Sequence, residues 1–291
     1  MKITIGANQF YWSRNETFDF YQQLLNAPVD RVYLGETICP KRKELRHEDW
    51  LEIARQLSEH GKQVVLSTLT LLESESDYRQ VKHICANEHY LIEANDIAAV
   101  QIASELNKAF VLGPAINIYS SATLDFLIKQ GAVTWVPPVE IGHQQITGIH
   151  DQALSSIELE IFAYGYLPLA YSARCYSARH HHYQKDQCQK VCIEYPEGIQ
   201  ISSQDGEPLF NLNGISTQSG KITHLIDEIP RMREMGVNYV RLSPIQTGFF
   251  ETLTRYHKII NGQPDELIPV ASQACNGYWY AEAGKDWHSY S

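Results

Sequence analysis

Short apolar runs alternate with amphipathic stretches along almost the whole chain. Residues 3–6, 31–34, 63–67, 90–93, 109–112, 133–136, 157–161 and 238–242 are brief, apolar and rich in β-branched and aromatic side chains, a pattern that predicts strands. Between them, residues 49–60, 97–106, 121–130 and 222–235 repeat their apolar positions at helical spacing. Gly61, Gly131 and Gly236 stand at the ends of the first, third and last of these stretches, where a helix stop is expected.

Eight strand–helix units in one chain favour a (β/α)8 barrel of the TIM type. A doubly wound open sheet is the structural alternative, but no G-x-G-x-x-G follows the first strand, so its dinucleotide-binding form lacks a signature. The spacing of the units is informative. Most strand starts lie one ordinary unit apart, whereas 81 residues separate those near 157 and 238. Long insertions in compact domains usually carry function. The chain is therefore read as a single barrel domain, residues 1–291, with an insertion over residues 165–222 that holds Cys175, Cys188 and Cys192. Within it, Asp205-Gly206 between short apolar runs predicts a hairpin over residues 199–217.

With 44% hydrophobic and 20% charged residues, the 291-residue chain can bury a full core. Its formal charge of −10 disfavours non-specific nucleic-acid binding and adsorption to anionic membranes. No apolar run approaches the ~20 residues that span a bilayer. The first dozen residues read as a strand and not as a leader, which leads to the expectation of a cytoplasmic protein. Six cysteines are too few for a disulfide scaffold at this length and read better as thiols or metal ligands.

Three of those thiols, Cys175, Cys188 and Cys192, fall within 18 residues. Cys188 and Cys192 would share one face if their segment were helical. Cys39, just past the second strand, is the best fourth ligand, because the loops after the second and seventh barrel strands emerge on the same face. Cys85 and Cys275 are read as packing thiols. Four thiolates suit zinc or an iron–sulfur cluster, and ligands gathered from distant loops suit the cluster better. Lys41-Arg42-Lys43, Arg174 and Arg179 would lower the thiol pKa values, although such a basic run is ordinarily just a solvated surface. His180-His181-His182 reads as a polar loop, since consecutive residues point in different directions. Glu36, Asn95, Asn117, Glu140, Glu160 and Arg241, at expected strand ends, could line a pocket. H-E-x-x-H and G-x-S-x-G are both absent, so peptidase chemistry has no visible machinery and no catalytic residue is assigned.

The stretch Glu160-Ile161-Phe162-Ala163-Tyr164-Gly165-Tyr166-Leu167-Pro168, running on to Cys175, resembles the signature of the peptidase U32 family. Tyr33-Leu34-Gly35-Glu36-Thr37-Ile38-Cys39-Pro40-Lys41-Arg42 and Cys275-Asn276-Gly277-Tyr278-Trp279 narrow the resemblance to short members that act in oxygen-independent ubiquinone biosynthesis. The resemblance implies one [4Fe-4S] cluster on Cys39, Cys175, Cys188 and Cys192. It implies hydroxylation of prenylated quinone precursors without O2, a heterodimer with a UbiU-like U32 protein, and a UbiT-like lipid-binding accessory protein. The three consecutive histidines depart from that pattern. The alternatives are a U32-type peptidase and a zinc-stapled, non-catalytic scaffold.

Overall fold

The computed structural model describes residues 1–263 and 274–288. Six strand–helix pairs come first: β1 (Lys2–Ile5), α1 (Arg14–Leu24), β2 (Arg31–Leu34), α2 (His47–Glu59), β3 (Gln63–Ser67), α3 (Glu75–Cys85), β4 (Leu91–Ala94), α4 (Ile97–Glu105), β5 (Phe110–Leu112), α5 (Ser121–Lys129), β6 (Ala132–Trp135) and α6 (His143–Asp151). Then follow β7 (Glu158–Gly165), β8 (Pro168–Tyr171), α7 (Tyr176–His180), β9 (Ile199–Ser202), β10 (Pro208–Asn213), β11 (Ser216–Ser219), β12 (Ile222–His224), α8 (Ile229–Glu234), β13 (Tyr239–Leu242), α9 (Phe249–Ile260) and β14 (Ala274–Cys275).

Strands β1 to β7 and β13 pair in parallel, each with its neighbour, and β13 joins both β1 and β7, so the eight strands close on themselves. The fold is a (β/α)8 barrel of the TIM type. Four of the barrel helices start where the sequence supplies a side-chain acceptor for a free N–H group. Ser13 and Ser74 open α1 and α3 with capping boxes, and Asp96 and Ser120 cap α4 and α5. Gly61, Gly131 and Gly236 follow α2, α5 and α8 with φ of 78°, 111° and 73°, the left-handed stop expected of them.

The stretch 222–235 does not form one helix. Thr223 and His224 in β12 pair antiparallel with Gly165 and Tyr164 at the top of β7, and a short turn separates them from α8. The β-branched pair Ile222-Thr223 fits a strand, and Pro230 in the first turn of α8 fixes where the helix can begin.

Between β7 and β13 lies a second, antiparallel sheet in the order β8-β11-β10-β9. Its β9–β10 hairpin turns at Asp205-Gly206, with Gly206 at φ 82°. Its two faces are reversed from the usual sense. Asn211, Asn213, Ser216 and Gln218 are buried on one face, while Ile201 and Phe210 are 37% and 38% exposed on the other. The polar face lies on the barrel, where Gln218 Nε2 donates to Gln9 Oε1 at 2.8 Å and Asn213 Nδ2 to the Gln9 carbonyl at 2.7 Å. Among the described residues, no helix is long and apolar enough to cross a membrane.

Alternation along the strands sends Ile3, Ile5, Val32, Leu34, Ile92, Leu159, Ile161, Val240 and Leu242 outward into the core beneath the helices. The intervening positions point to the barrel axis, and many are polar. Glu160, fully buried, receives Arg241 Nε at 2.6 Å, Arg31 Nη1 at 3.3 Å, Tyr33 Oη at 2.7 Å and Thr4 Oγ1 at 2.7 Å. Arg241 Nη1 donates onward to Glu93 Oε1 at 2.6 Å, and Glu93 also accepts from Ser67 and Asn95. Burial alone would raise the Glu160 carboxyl, but Arg241, Arg31 and the Tyr33 hydroxyl hold it below the usual carboxylate range.

Removing one partner of such a chain strands the other charges, so Glu160→Leu should cost ~3–5 kcal/mol in denaturant unfolding. Arg55→Ala, on the exposed Glu52–Arg55–Glu59 cluster of α2, should leave the midpoint unmoved. A carboxyl held lower when folded than when unfolded stabilises above the ordinary carboxylate pKa, and loses that contribution as pH falls through the folded value. The difference in stability between wild type and Glu160→Leu should therefore shrink as unfolding is measured at progressively more acid pH.

Candidate functional site

At the C-terminal end of the barrel, Arg241 and Glu93 line a narrow polar pocket with Gln9, Asn95, Ser243 and Tyr171. Tyr171, on β8, brings the second sheet over this mouth, and burial with the nearby Glu93 raises its hydroxyl pKa. Gly113 keeps a place for Asn95, because a Cβ there would stand 1.9 Å from Asn95 Oδ1. Of the six strand-end residues singled out in the sequence, only Asn95 and Arg241 meet here. Glu160 lies deeper, in the axial ion chain. Glu140 is exposed and accepts from Tyr119, and Asn117 is exposed. Glu36 turns away into the β2–α2 loop. Sequence reasoning missed Arg31, Tyr33 and Glu93, although the alternation Arg31-x-Tyr33, Glu158-x-Glu160 and Tyr239-x-Arg241 is the mark of a polar barrel interior.

The β2–α2 loop bends at Gly35, where φ is 127° and a Cβ would meet Ser67 O at 2.8 Å. That bend buries Glu36, whose Oε1 accepts the N–H groups of Ile38 at 2.8 Å and Cys39 at 3.0 Å. Cys39 is so presented toward the second sheet's connections. Cys175 caps α7, its Sγ accepting the Ala178 N–H at 3.5 Å. Cys188 and Cys192 do not share a helix face. Between them Gln189 and Lys190 take left-handed φ values of 50° and 58°, and Val191–Glu194 is a single 3-10 turn. Two adjacent non-glycine residues in that region store strain, which the surrounding contacts must hold.

All four thiols are half-buried and free. Cys175 interacts electrostatically with both Cys39 and Cys192, and Lys41 with Cys39 and Cys188. Cys39 and Cys188 also line one open cleft of about 1070 Å³. Lys41 Nζ spans from the β2–α2 loop to the Lys185 carbonyl and Asp186 Oδ1, both at 2.9 Å. Cys85 and Cys275 lie apart and are almost fully buried, Cys85 in the main core and Cys275 against Thr223. Among the described residues, no three His, Cys, Asp or Glu side chains stand close enough together to hold a single metal ion.

Arg42 is the centre of this region and not part of a solvated surface run. It is 6% exposed. Its Nη1 donates to the Gln9 carbonyl at 2.8 Å and its Nη2 to Asn213 Oδ1 at 2.6 Å, with Glu36 Oε1 at 3.8 Å. Arg42 Nε has no hydrogen-bond partner of good geometry, while the Cys39 and Cys192 thiols lie within its electrostatic reach. Lys43, Arg174 and Arg179 are exposed. The Arg42 charge does not bring the Cys39 and Cys192 thiols below the ordinary range. Burial pushes Cys39 up to about 11 and raises Cys192, and Arg42 offsets only part of that. His181 is held by the Tyr195 hydroxyl at 2.9 Å and stacks on Tyr183, so the histidine run packs as a loop.

The donor set fits a thiolate-bound, negatively charged centre. Cys39 and Cys192 lie in reach of a buried guanidinium, with Cys175 and Cys188 on the adjoining connections, and deprotonation on binding would overcome the raised pKa values of Cys39 and Cys192. Arg42 also ties the barrel to the second sheet, so Arg42→Ala leaves Glu36 buried without its cation. The expected loss is about 3 kcal/mol or more in denaturant unfolding. Faster protease cleavage within residues 183–207 should accompany it, read by mass spectrometry of the fragments.

The sequence model of Peptidase family U32 matches residues 16–263. A collagenase of Porphyromonas gingivalis is 24% identical over 297 residues, covering 93% of this chain and 67% of the collagenase. Among solved structures, a U32 peptidase is 12% identical with a TM-score of 0.48, covering 84% of this chain and 94% of its own. A phospho-2-dehydro-3-deoxyheptonate aldolase from Thermotoga maritima is 12% identical with a TM-score of 0.46, covering 90% of this chain and 68% of its own. With the family model running from α1 past the end of α9, the chain belongs to peptidase family U32.

Proposed function

We propose that this chain is a UbiV-like iron–sulfur component of a complex that hydroxylates the ring of prenylated ubiquinone precursors without O2. The observation that carries the reading is the electrostatic coupling of Cys175 with both Cys39 and Cys192, the last two in reach of buried Arg42, with Cys188 on the adjoining cleft. Cys39, Cys175, Cys188 and Cys192 would hold a [4Fe-4S] cluster, whose core spaces its thiolates more widely than one ion does. Such a cluster supplies one-electron redox chemistry. The chain's own residues do the rest. Arg42 and Lys41 offset negative charge at the thiolates, Glu36 fixes the Cys39 backbone, and the strained Gln189-Lys190 turn sets the approach of Cys188 and Cys192.

A heterodimer with a UbiU-like U32 chain and delivery of substrate by a UbiT-like lipid-binding protein complete the proposal. An apolar prenyl tail needs cover from water, at ~0.8 kcal/mol for each buried CH₂. The outward Ile201 and Phe210 of the second sheet offer an apolar strip for a partner to cover.

The ligand assignment is tested by single substitutions in protein prepared without air. Cys39→Ala, Cys175→Ala, Cys188→Ala and Cys192→Ala should each lose most of the bound iron and the visible charge-transfer absorbance. Cys85→Ala and Cys275→Ala should retain both. Full iron in any of the first four would remove that residue from the set, and zinc in place of iron would favour a stapled scaffold.

A further inference from the structure

A second cavity, of about 260 Å³, lies behind the Cys39 loop, between α2, α3 and the ends of β2 and β3. It is distinct in character from the thiol cleft. Its walls are largely apolar, Leu34, Leu45, Trp50, Leu66 and Ile84, with Glu36, Arg42, Ser67 and Gln80 among them. Its mouth carries two exposed cations, Lys43 and Arg46, beside the exposed ring of His83 and the half-buried ring of His47. The His47 and His83 rings meet with centroids 4.5 Å apart, joining α2 to α3 across the opening.

The charges here are only partly spent on neighbours. Glu36, the acid that lines the cavity, is engaged by two backbone N–H groups and by Arg42. Asp49, which interacts electrostatically with Arg46, is already gripped by both terminal nitrogens of Arg14 and accepts the Arg46 N–H at 2.8 Å. Lys43 makes no ion pair among the described residues. In a chain of net charge −10, Lys43 without an ion pair and Arg46 sharing Asp49 with Arg14, at the rim of a largely apolar chamber, form a local exception. An apolar chamber with a few convergent polar groups is the usual form of a small-molecule site.

We propose that this cavity binds a compact amphipathic carboxylate, its apolar body against Trp50, Leu66 and Ile84 and its carboxylate at Lys43 and Arg46. A chamber of about 260 Å³ is of the size that a fused two-ring acid fills. The mixed walls exclude a hydrophilic anion such as phosphate, which would leave the apolar lining unfilled. The site stands on α2 and α3 and shares Pro40, Lys43 and Gln80 with the thiol cleft beside it.

The test is calorimetric titration of the whole chain with 2-naphthoate and with 2-naphthalenemethanol, a neutral probe of the same shape. The acid should bind more tightly than the alcohol by about tenfold, the worth of a charge-assisted contact. Lys43→Gln/Arg46→Gln, both surface changes, should weaken the acid by about tenfold and leave the alcohol within about twofold. Ile84→Trp fills the chamber and should abolish binding of both, with circular dichroism confirming that it folds. Equal affinity for acid and alcohol, or acid binding untouched by the double substitution, overturns the proposal. So does the absence of any naphthoate binding at millimolar concentration.

Discussion

Glu160 sits at the axis of the barrel with no exposure to solvent, gripped by Arg241 on one side and Arg31 on the other, and Arg241 reaches on to Glu93. This run of alternating charges crosses the interior of a fold whose centre is ordinarily filled by branched aliphatic side chains. Hydrogen bonds from Thr4, Tyr33 and Ser67 close the remaining acceptors, so β1, β2, β3, β4, β7 and β13 meet through one network. Two arginines and two glutamates balance within it. The network supplies register more than net stability, because desolvation consumes much of what the ion pairs return. It sets the height at which the polar mouth opens, with Arg241 and Glu93 as its floor.

Above that floor, Gln9 transmits position from barrel to thiols. Its side chain bridges Ser243 and Gln218, and its carbonyl receives Arg42 and Asn213. The second sheet is consequently docked by amides and a guanidinium, which explains why its buried face is polar and its apolar side chains face outward. Docking by directional bonds orients the sheet's connections, which bear Cys175, Cys188 and Cys192, toward Cys39. Apolar packing would hold the same mass with less control of angle.

Much of the architecture was legible in the chain. The eight strands recur at the expected runs, because buried parallel strands are short, apolar and bounded by glycine stops. Residues 222–235 misled, since apolar spacing cannot separate a three-residue strand followed by a helix from one continuous helix, and Pro230 was the unused signal. Chemistry was harder to read. Arg42 stands between two lysines in sequence, so nothing local distinguishes its burial; the cause is tertiary, through Gln9 and Asn213. The same holds for the thiol pKa values, where desolvation outweighs the basic neighbours that sequence displays. Glu160 was seen as a candidate, but its depth follows from a β7 that runs eight residues.

The central claim is that four thiols from the β2–α2 loop and the insertion hold one cluster. It is tested most directly by counting metal and acid-labile sulfide in wild-type chain purified without air, together with the electron paramagnetic resonance of the reduced protein. About four irons and about four sulfides per chain are expected, with a single cubane-type signal after reduction. One zinc per chain without sulfide, or no bound metal in protein whose four thiols all alkylate freely, would contradict it.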